Sequence, residues 1–230
     1  GIGAAAAYGF AKAGATVVIG ARRAEHVEKH AAAINDFGGK ALGLRLDVTD
    51  ESSWRHFVDE AITRFGRIDG AFNNAGIDQK PAVLDEVSLE ERRDVFAVKV
   101  DGTFLGMKYQ CKAMAEHGGA IVNHGSAIAE LGIGALPAPC ASQAAVIGLT
   151  KSAARAYGPK IRVNLLSTGA IMTPERVGTD MYSAELPIVP AKRPGRAEEV
   201  AAVAGWLLSD YASYQTGALV AVDGGGPSWA

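Results

Sequence analysis

The sequence predicts a single α/β domain with a doubly wound, mostly parallel sheet. Apolar segments of strand length alternate with longer amphipathic segments, which is the pattern of repeated βα units. A length of 230 residues suits one sizeable core. Apolar residues make up 48% of the chain, charged residues 21%, and there are 28 glycines, which is typical of a globular protein with close helix–strand packing. We therefore treat residues 1–230 as one domain.

The elements follow one another in regular alternation. Asp50 stands where it can cap the third helix, and Ser88 with Glu91 has the spacing of a capping box for the fourth. In such sheets ligands bind beyond the carboxyl ends of the strands, so functional residues are expected there. The predicted strands are 16–20, 41–46, 69–74, 119–124, 161–167 and 218–223, and the predicted helices are 3–13, 23–37, 51–65, 88–115, 140–157 and 196–209.

The start of the sequence departs from this pattern. Residues 1–3 read GIG and lead directly into a helix, with no strand before them. A doubly wound sheet normally has a buried central strand feeding this turn. We expect the first strand and the start of the glycine turn to be missing, either from the sequence or from the sheet itself. An incomplete sequence is favoured, because a sheet without its central strand would leave two rows of backbone groups without partners.

Composition excludes several classes of function. A formal net charge of -2 gives no basic field for nucleic acid or for a membrane surface. The two cysteines, Cys111 and Cys140, have neither a disulfide pattern nor a metal-binding spacing. There is no signal sequence at the start and no apolar run of about 18 residues. We expect a cytoplasmic protein without a metal, whose partners are small molecules or other proteins.

Five short motifs occur in a characteristic order. They are GIG at 1–3, Asp47-Val48, NNAG at 73–76, Ser126 at a strand end, and VDGG at 222–225. Together they resemble the short-chain dehydrogenase/reductase family over essentially the whole chain. The resemblance implies a Rossmann-type fold and an oxidoreductase that transfers hydride between NADPH and a carbonyl or alcohol. It also implies a dimer or tetramer, which the apolar faces of the two long central helices favour: Val95, Phe96, Phe104, Met107, Val146 and Leu149.

The resemblance also implies a cofactor site. Glycines let the backbone approach a pyrophosphate at a helix N-terminus, where free N–H groups favour anions, although a tight turn alone would explain them. Asp47 would bind adenine, or could merely cap the next helix. Asn73 is expected to tie neighbouring strands together. The candidate cofactor residues are Gly1, Ile2, Gly3, Arg22, Arg23, Asp47, Val48, Asn74, Ala75, Gly76, Gln143, Gly169, Ile171 and Thr173.

Two arginines favour NADP over NAD. Arg22 and Arg23 follow the second predicted element directly, and Ala21 stands where NAD-preferring relatives tend to carry an aspartate. Guanidinium groups form bidentate, charge-assisted hydrogen bonds with phosphate, so the pair suits the 2′-phosphate of NADP. NAD remains possible if the arginines are simply solvated.

The catalytic pattern of the family is broken. Counting thirteen residues from Ser126 places Pro139 where the family has its proton-donating tyrosine, and Gln143 stands at the lysine position. Lys99 replaces the asparagine three residues before Gly102, and Thr168 replaces a proline. Of the four catalytic groups that the resemblance implies, Ser126 alone is retained. Ordinary activity is therefore expected to be weak or lost.

Four side chains enter as candidate substitutes. Lys99 and Gln143 together could preserve a positive charge beside the ribose. His124 is a candidate general acid by residue type, but the alternation of its strand is expected to direct it away from the site. Cys140 could be a nucleophile at a helix N-terminus, although no base is identifiable and a packed side chain is favoured.

Three hypotheses about the function remain open. The chain could be an oxidoreductase acting on a substrate that needs little acid assistance. It could be a nucleotide-binding pseudoenzyme, including a partner subunit of an active relative, or it could carry out non-redox chemistry. A substrate loop is expected at about 174–195, where Met181, Tyr182, Leu186 and Ile188 offer an apolar lining but name no substrate.

Overall fold

The computed structural model describes residues 1–174 and 189–226, and it confirms the predicted α/β fold with parallel strands. The strands are β1 (Thr16–Ala21), β2 (Lys40–Arg45), β3 (Gly70–Asn73), β4 (Gly119–Ser126), β5 (Ile161–Thr168), β6 (Ile171–Met172), β7 (Gly195–Arg196) and β8 (Leu219–Val222). The helices are α1 (Ile2–Lys12), α2 (Ala24–Asp36), α3 (Glu51–Phe65), α4 (Leu89–Phe96), α5 (Gly102–Met114), α6 (Ile128–Leu131), α7 (Pro137–Tyr157) and α8 (Ala197–Leu208).

The parallel strands form two separate main sheets. One has the order β3-β4-β5-β8, and the other pairs β1 with β2. In the described part of the chain no strand lies between β1 and β3, which is the place where a doubly wound sheet normally has its central strand. The predicted gap is therefore present, and the facing edges of β1 and β3 border a cavity.

Local sequence accounts for the start of α3 and of α4. The Asp50 side chain caps α3 by accepting from the Ser52 N–H at 2.9 Å. Ser88 caps α4 by accepting from the Glu91 N–H at 3.1 Å. The predicted capping box is only half formed, because the Glu91 carboxylate accepts from the Lys80 N–H instead of reaching back to Ser88.

The predicted helix 88–115 is interrupted. Between α4 and α5 the turn Ala97–Asp101 is a π-helix, which widens the helix by one residue. The fifth predicted helix starts three residues earlier than expected, at Pro137. Proline is tolerated there because the N–H groups of the first helical turn have no partner within the helix.

Helices cover both faces of the four-stranded sheet. Val122 of β4 packs with α1 and α8 residues, whereas Ile121 packs with Met107 of α5 and Ala153 of α7. Successive side chains of β4 thus point to opposite faces. This alternation determines on which face of the sheet each side chain at the end of β4 lies.

Candidate active site

One large cavity collects the residues that the sequence singled out. Its volume is about 3310 Å³, because it includes both the carboxyl ends of the strands and the space between β1 and β3. It is lined by all of the candidate cofactor residues and by the four catalytic positions: Gly1, Ile2, Gly3, Arg22, Arg23, Asp47, Val48, Asn74, Ala75, Gly76, Lys99, Ser126, Pro139, Gln143, Gly169, Ile171 and Thr173.

The glycine turn presents a helix end to this cavity. Gly1 is the N-cap of α1, and no side chain caps the helix there. A Cβ added at Gly3 would lie 3.1 Å from the Asn74 amide nitrogen, so the turn and the end of β3 approach closely. The free N–H groups of the first turn can therefore donate hydrogen bonds to an anionic group.

Charged groups lie at the ends of β1 and β2. The Asp47 carboxylate accepts hydrogen bonds from the Thr49 hydroxyl at 2.8 Å and the Thr49 N–H at 3.0 Å. These bonds, helped by the charges of Arg22 and Arg45 and opposed by partial burial, lower the pKa of Asp47. Asp47 is thus an ionised acceptor at the cavity, and the cap of α3 is Asp50 instead.

The two asparagines that follow β3 have different roles. Asn73 is buried and its amide donates to Gln110 and to Asn123, each at 2.9 Å, which confirms that it ties neighbouring elements together. Asn74 lines the cavity, and its side-chain oxygen is buried without a hydrogen-bond partner among the described residues. That oxygen fits a ligand with a hydroxyl or amino donor.

No phenol replaces the lost tyrosine at its own position. Pro139 is buried in the first turn of α7 and borders the cavity. Ser126 lies at the end of β4, where its hydroxyl donates to the Thr168 carbonyl at 3.3 Å. The Gln143 side-chain oxygen is a second buried acceptor that lacks a partner in the described structure. Both unpartnered amide oxygens suit the hydroxyl-rich ribose groups of a dinucleotide.

Lys99 is buried at the carboxyl ends of the strands. It belongs to the π-helical turn, and its side chain reaches across the end of the sheet. The Lys99 ammonium donates to the His124 carbonyl at 2.5 Å and to the Ala75 carbonyl at 3.3 Å. Burial lowers the pKa of Lys99 to about 8.

The His124 ring lies on one face of β4, and α5 and α7 pack on the other. His124 has the same parity along β4 as Val122, so its ring lies on the α1/α8 side, against Phe72, and borders the cavity there. Its Nε2 is hydrogen-bonded to the Thr168 hydroxyl at 3.1 Å. The ring therefore contacts the residue that stands at the family's proline position, and it lies on the opposite face from Ile121, which packs with α5 and α7.

Cys140 is packed, as expected. It is absent from the cavity lining, and its sulfur accepts a hydrogen bond from the Ile133 N–H at 3.2 Å.

The structure also reveals Gln79, which was not predicted from the sequence. Its buried side chain accepts from the Ala138 N–H at 3.1 Å and thereby holds the start of α7. No local pattern marks this contact, because 59 residues separate the partners.

Part of the predicted substrate loop lies outside the described residues. Met181, Tyr182, Leu186 and Ile188 are among these, while Pro174 and Val189 on either side line the cavity. Within residues 1–174 and 189–226 no three His, Cys, Asp or Glu side chains are grouped to hold a metal ion. The helices of this part of the chain are all too short or too polar to cross a membrane.

The chain is similar to proteins of known class. The family model described as Enoyl-(Acyl carrier protein) reductase matches residues 1–226. The 2,5-dichloro-2,5-cyclohexadiene-1,4-diol dehydrogenase of Sphingobium indicum is 43% identical over 198 residues, covering 82% of this chain and 78% of the relative. The cis-4-hydroxycyclohexanecarboxylate dehydrogenase of Sinomonas cyclohexanicum is 40% identical, covering 98% of this chain and 92% of the relative.

A solved structure has the same fold. The crystal structure of a short-chain type dehydrogenase/reductase from Mycobacterium marinum superimposes with a TM-score of 0.92 at 34% identity. The match covers 98% of this chain and 91% of that one. The chain belongs to the short-chain dehydrogenase/reductase family of oxidoreductases.

Proposed function

We propose that the chain binds a nicotinamide dinucleotide, preferring NADP to NAD, and that its ordinary reduction of carbonyls or oxidation of alcohols is weak or lost. The observation that carries this proposal is Pro139, which borders the cavity where a phenol would be needed. The bound nicotinamide would supply or accept the hydride. The chain must supply the proton, and a proline side chain has none to give.

The residues for holding the dinucleotide are better preserved than those for catalysis. The α1 N-terminus suits the pyrophosphate, and Arg22 and Arg23 border the cavity at the end of β1, where they suit a 2′-phosphate. The buried oxygens of Asn74 and Gln143 need donors such as ribose hydroxyls. Binding is therefore expected to survive the changes that weaken turnover.

For the substrate we propose a small alicyclic alcohol or ketone. The two curated relatives are named for dehydrogenating hydroxylated six-membered rings. In this chain the segment between β4 and α7 contributes an apolar wall to the cavity beside Ser126, formed by Ile128, Leu131, Ile133 and Leu136. An apolar wall next to one hydroxyl suits a carbon ring that presents a hydroxyl or a carbonyl group to Ser126.

The second candidate function is a nucleotide-binding pseudoenzyme, including a partner subunit for an active relative. Pro139, Gln143 and Lys99 stand at the family's Tyr, Lys and Asn positions. These changes favour a pseudoenzyme, because they replace catalytic groups and leave the fold intact.

Both cysteines are free thiols, which suits a reducing cytoplasm for either function.

Restoring the family residues tests the proposal. NADPH and NADH binding is measured by calorimetry, and turnover is measured on a panel of cyclohexanols and cyclohexanones. We expect NADPH binding, and turnover that rises by about 10²–10⁴-fold in the double variant Pro139→Tyr/Gln143→Lys, because a positioned general acid contributes that much. A rise supports the disabled oxidoreductase, and binding without any rise supports the pseudoenzyme.

The matched control places the same two groups, with the same spacing, on α2. Ala32→Tyr/Asp36→Lys changes two exposed positions of that helix away from the cavity and should leave turnover unchanged. Wild-type turnover of about 1 s⁻¹ or more, which is ordinary for enzymes, would contradict the loss of activity. Failure to bind either dinucleotide at millimolar concentration would contradict nucleotide binding.

A further inference from the structure

The Lys99 ammonium has a hydrogen-bond donor to spare. An ammonium group carries three N–H donors, and two of them are used by the carbonyls of Ala75 and His124. Among the described residues no acceptor takes the third donor and no carboxylate lies within ion-pair distance of the nitrogen. Lys99 borders the cavity, so this donor is available to a bound molecule.

Such a lysine is costly to the fold. Its side chain is only 3% exposed, and a buried charge without an opposite charge loses its hydration without full compensation. Burial lowers the pKa of Lys99 to about 8, which reflects this cost. Buried ionisable groups with altered pKa values that border a cleft are candidates for ligand binding.

The position of the Lys99 ammonium indicates which part of a bound molecule it would contact. Its two acceptors belong to neighbouring strand ends: Ala75 follows β3 in the NNAG motif, and His124 precedes Ser126 by two residues in β4. Gln143 of α7 borders the same cavity and has a buried acceptor without a partner. A cation and a neutral acceptor thus border the cavity where the family pattern has a lysine on α7.

We propose that Lys99 replaces the missing lysine of α7 by donating to one hydroxyl of the nicotinamide ribose, while the Gln143 side-chain oxygen accepts from another. This inference rests on the proposed binding of a nicotinamide dinucleotide. It makes Lys99 a residue that positions the nicotinamide half of the cofactor, with no part in binding the adenosine half. The ammonium acts from the π-helical turn, which directs it across the strand ends.

Few other charges act on this ammonium. On the elements packed against the π-helical turn, Asp94 of α4, Asp101 of the turn itself and Lys151 of α7 are exposed. The His124 ring is turned toward Thr168, and Asp78 in the loop after β3 is exposed and borders the cavity. Burial is the single cause of the lowered pKa of Lys99.

The test compares two ligands that share their adenosine half. NADPH contains the nicotinamide ribose, and adenosine 2′,5′-bisphosphate does not. We expect Lys99→Met to weaken NADPH binding by about 10–100-fold, the usual effect of losing a hydrogen bond to a charged group. Bisphosphate binding should change by less than about threefold, as for a distant site. Lys112→Met, which removes an exposed ammonium from α5, should affect neither ligand.

A pH titration gives a second readout. The charged form of Lys99 binds the ribose, and it is lost as the pH rises through about 8. Wild-type affinity for NADPH should therefore fall by about tenfold or more between about pH 7 and about pH 9.5, whereas bisphosphate affinity should not follow. Carboxylates and imidazoles ordinarily titrate below this range, and Lys99→Met should remove the fall.

A further variant moves the ammonium group from position 99 to position 143, where the family has its lysine. Lys99→Asn/Gln143→Lys places the ammonium on α7 and should bind NADPH within about threefold of the wild type. Equal weakening of both ligands by Lys99→Met, or no weakening, would overturn the inference while leaving nucleotide binding intact. If neither ligand binds the wild type, the proposed function fails and the inference with it. If Lys99→Met does not fold, Lys99→Arg decides the matter: a guanidinium stays charged throughout this range, so NADPH affinity should no longer fall as the pH rises.

Discussion

A single side chain at the end of β1 is expected to set the choice of cofactor. Ala21 is exposed, borders the cavity and is followed by Arg22 and Arg23. A carboxylate there would accept hydrogen bonds from ribose hydroxyls and would repel a 2′-phosphate. We expect Ala21→Asp to weaken NADPH binding by about tenfold or more and to strengthen NADH binding. Calorimetric titration of both dinucleotides measures the change.

The control for this substitution is Ala32→Asp, which adds the same charge to an exposed position of α2 away from the cavity. It should leave both affinities unchanged. If Ala21→Asp weakened both dinucleotides equally, Ala21 would not discriminate between them, and the proposed role of the arginine pair would be lost.

Individual residues also show where sequence reasoning reached its limit. Asp47 and Asn74 were expected at a cofactor site because their motifs resemble those of the family, and both border the cavity. The contacts of His124 with Phe72 and Thr168 were not predictable, because they depend on which face of β4 packs against α1 and α8. The contacts of Lys99 were missed because they join three elements that are far apart in sequence.

At the level of elements, the interrupted helix is the main departure from prediction. The amphipathic pattern predicted one helix at 88–115, and neither a proline nor a glycine pair marks the π-helical turn within it. The turn lies beside a tight contact, since a Cβ added at Gly102 would lie 2.9 Å from a Val48 methyl carbon. The π-helical turn was not predictable, because it accompanies packing between elements that are distant in sequence and local propensity does not encode such packing.

The junction of β3, β4, α5 and α7 is held by a buried polar network. Asn73 bonds to Gln110 and Asn123, and Asn123 in turn donates to the Thr150 hydroxyl at 3.0 Å. We expect Asn73→Leu to lower the free energy of unfolding by about 1–3 kcal/mol for each partner left unsatisfied. Urea denaturation measures the loss.

Asn35 provides the matched comparison for this network. It also forms two side-chain hydrogen bonds, both to the backbone of Ala41, but it is exposed. Asn35→Leu should cost no more than about 1 kcal/mol, because water can replace the lost bonds. An equal cost for the two substitutions would show that burial does not make the network important.

For the whole molecule, the alternation of parallel strands and helices was predictable, because apolar periodicity and turn residues encode it locally. Within the described residues the β1–β2 pair and the four-stranded sheet both border one cavity, and α1 packs against both β1 and α8. The packing of α1 on α8 was not predictable, because the two helices are far apart in sequence and no local pattern marks their contact.

Assembly is the remaining question at this scale, and part of the sequence argument for it was wrong. Val95, Met107 and Val146 are at most 5% exposed within one subunit, so they offer no surface to a partner. Phe104 of α5 is 51% exposed, which leaves it as the main apolar side chain on that face. Members of this family are commonly oligomeric, and we propose that α5 and α7 pair across a two-fold axis.

A charge at position 104 tests that pairing. In a two-fold interface each subunit contributes the same patch, so Phe104→Glu would bring two buried carboxylates together. We expect the wild type to be a dimer or larger at micromolar concentration, and the variant to shift toward the monomer in light scattering. Phe65→Glu, which changes an exposed phenylalanine at the end of α3, should leave the assembly unchanged. A wild-type monomer, or a Phe104→Glu variant that keeps the wild-type mass, would contradict the α5/α7 interface, since two unpaired carboxylates could not be buried there without large cost.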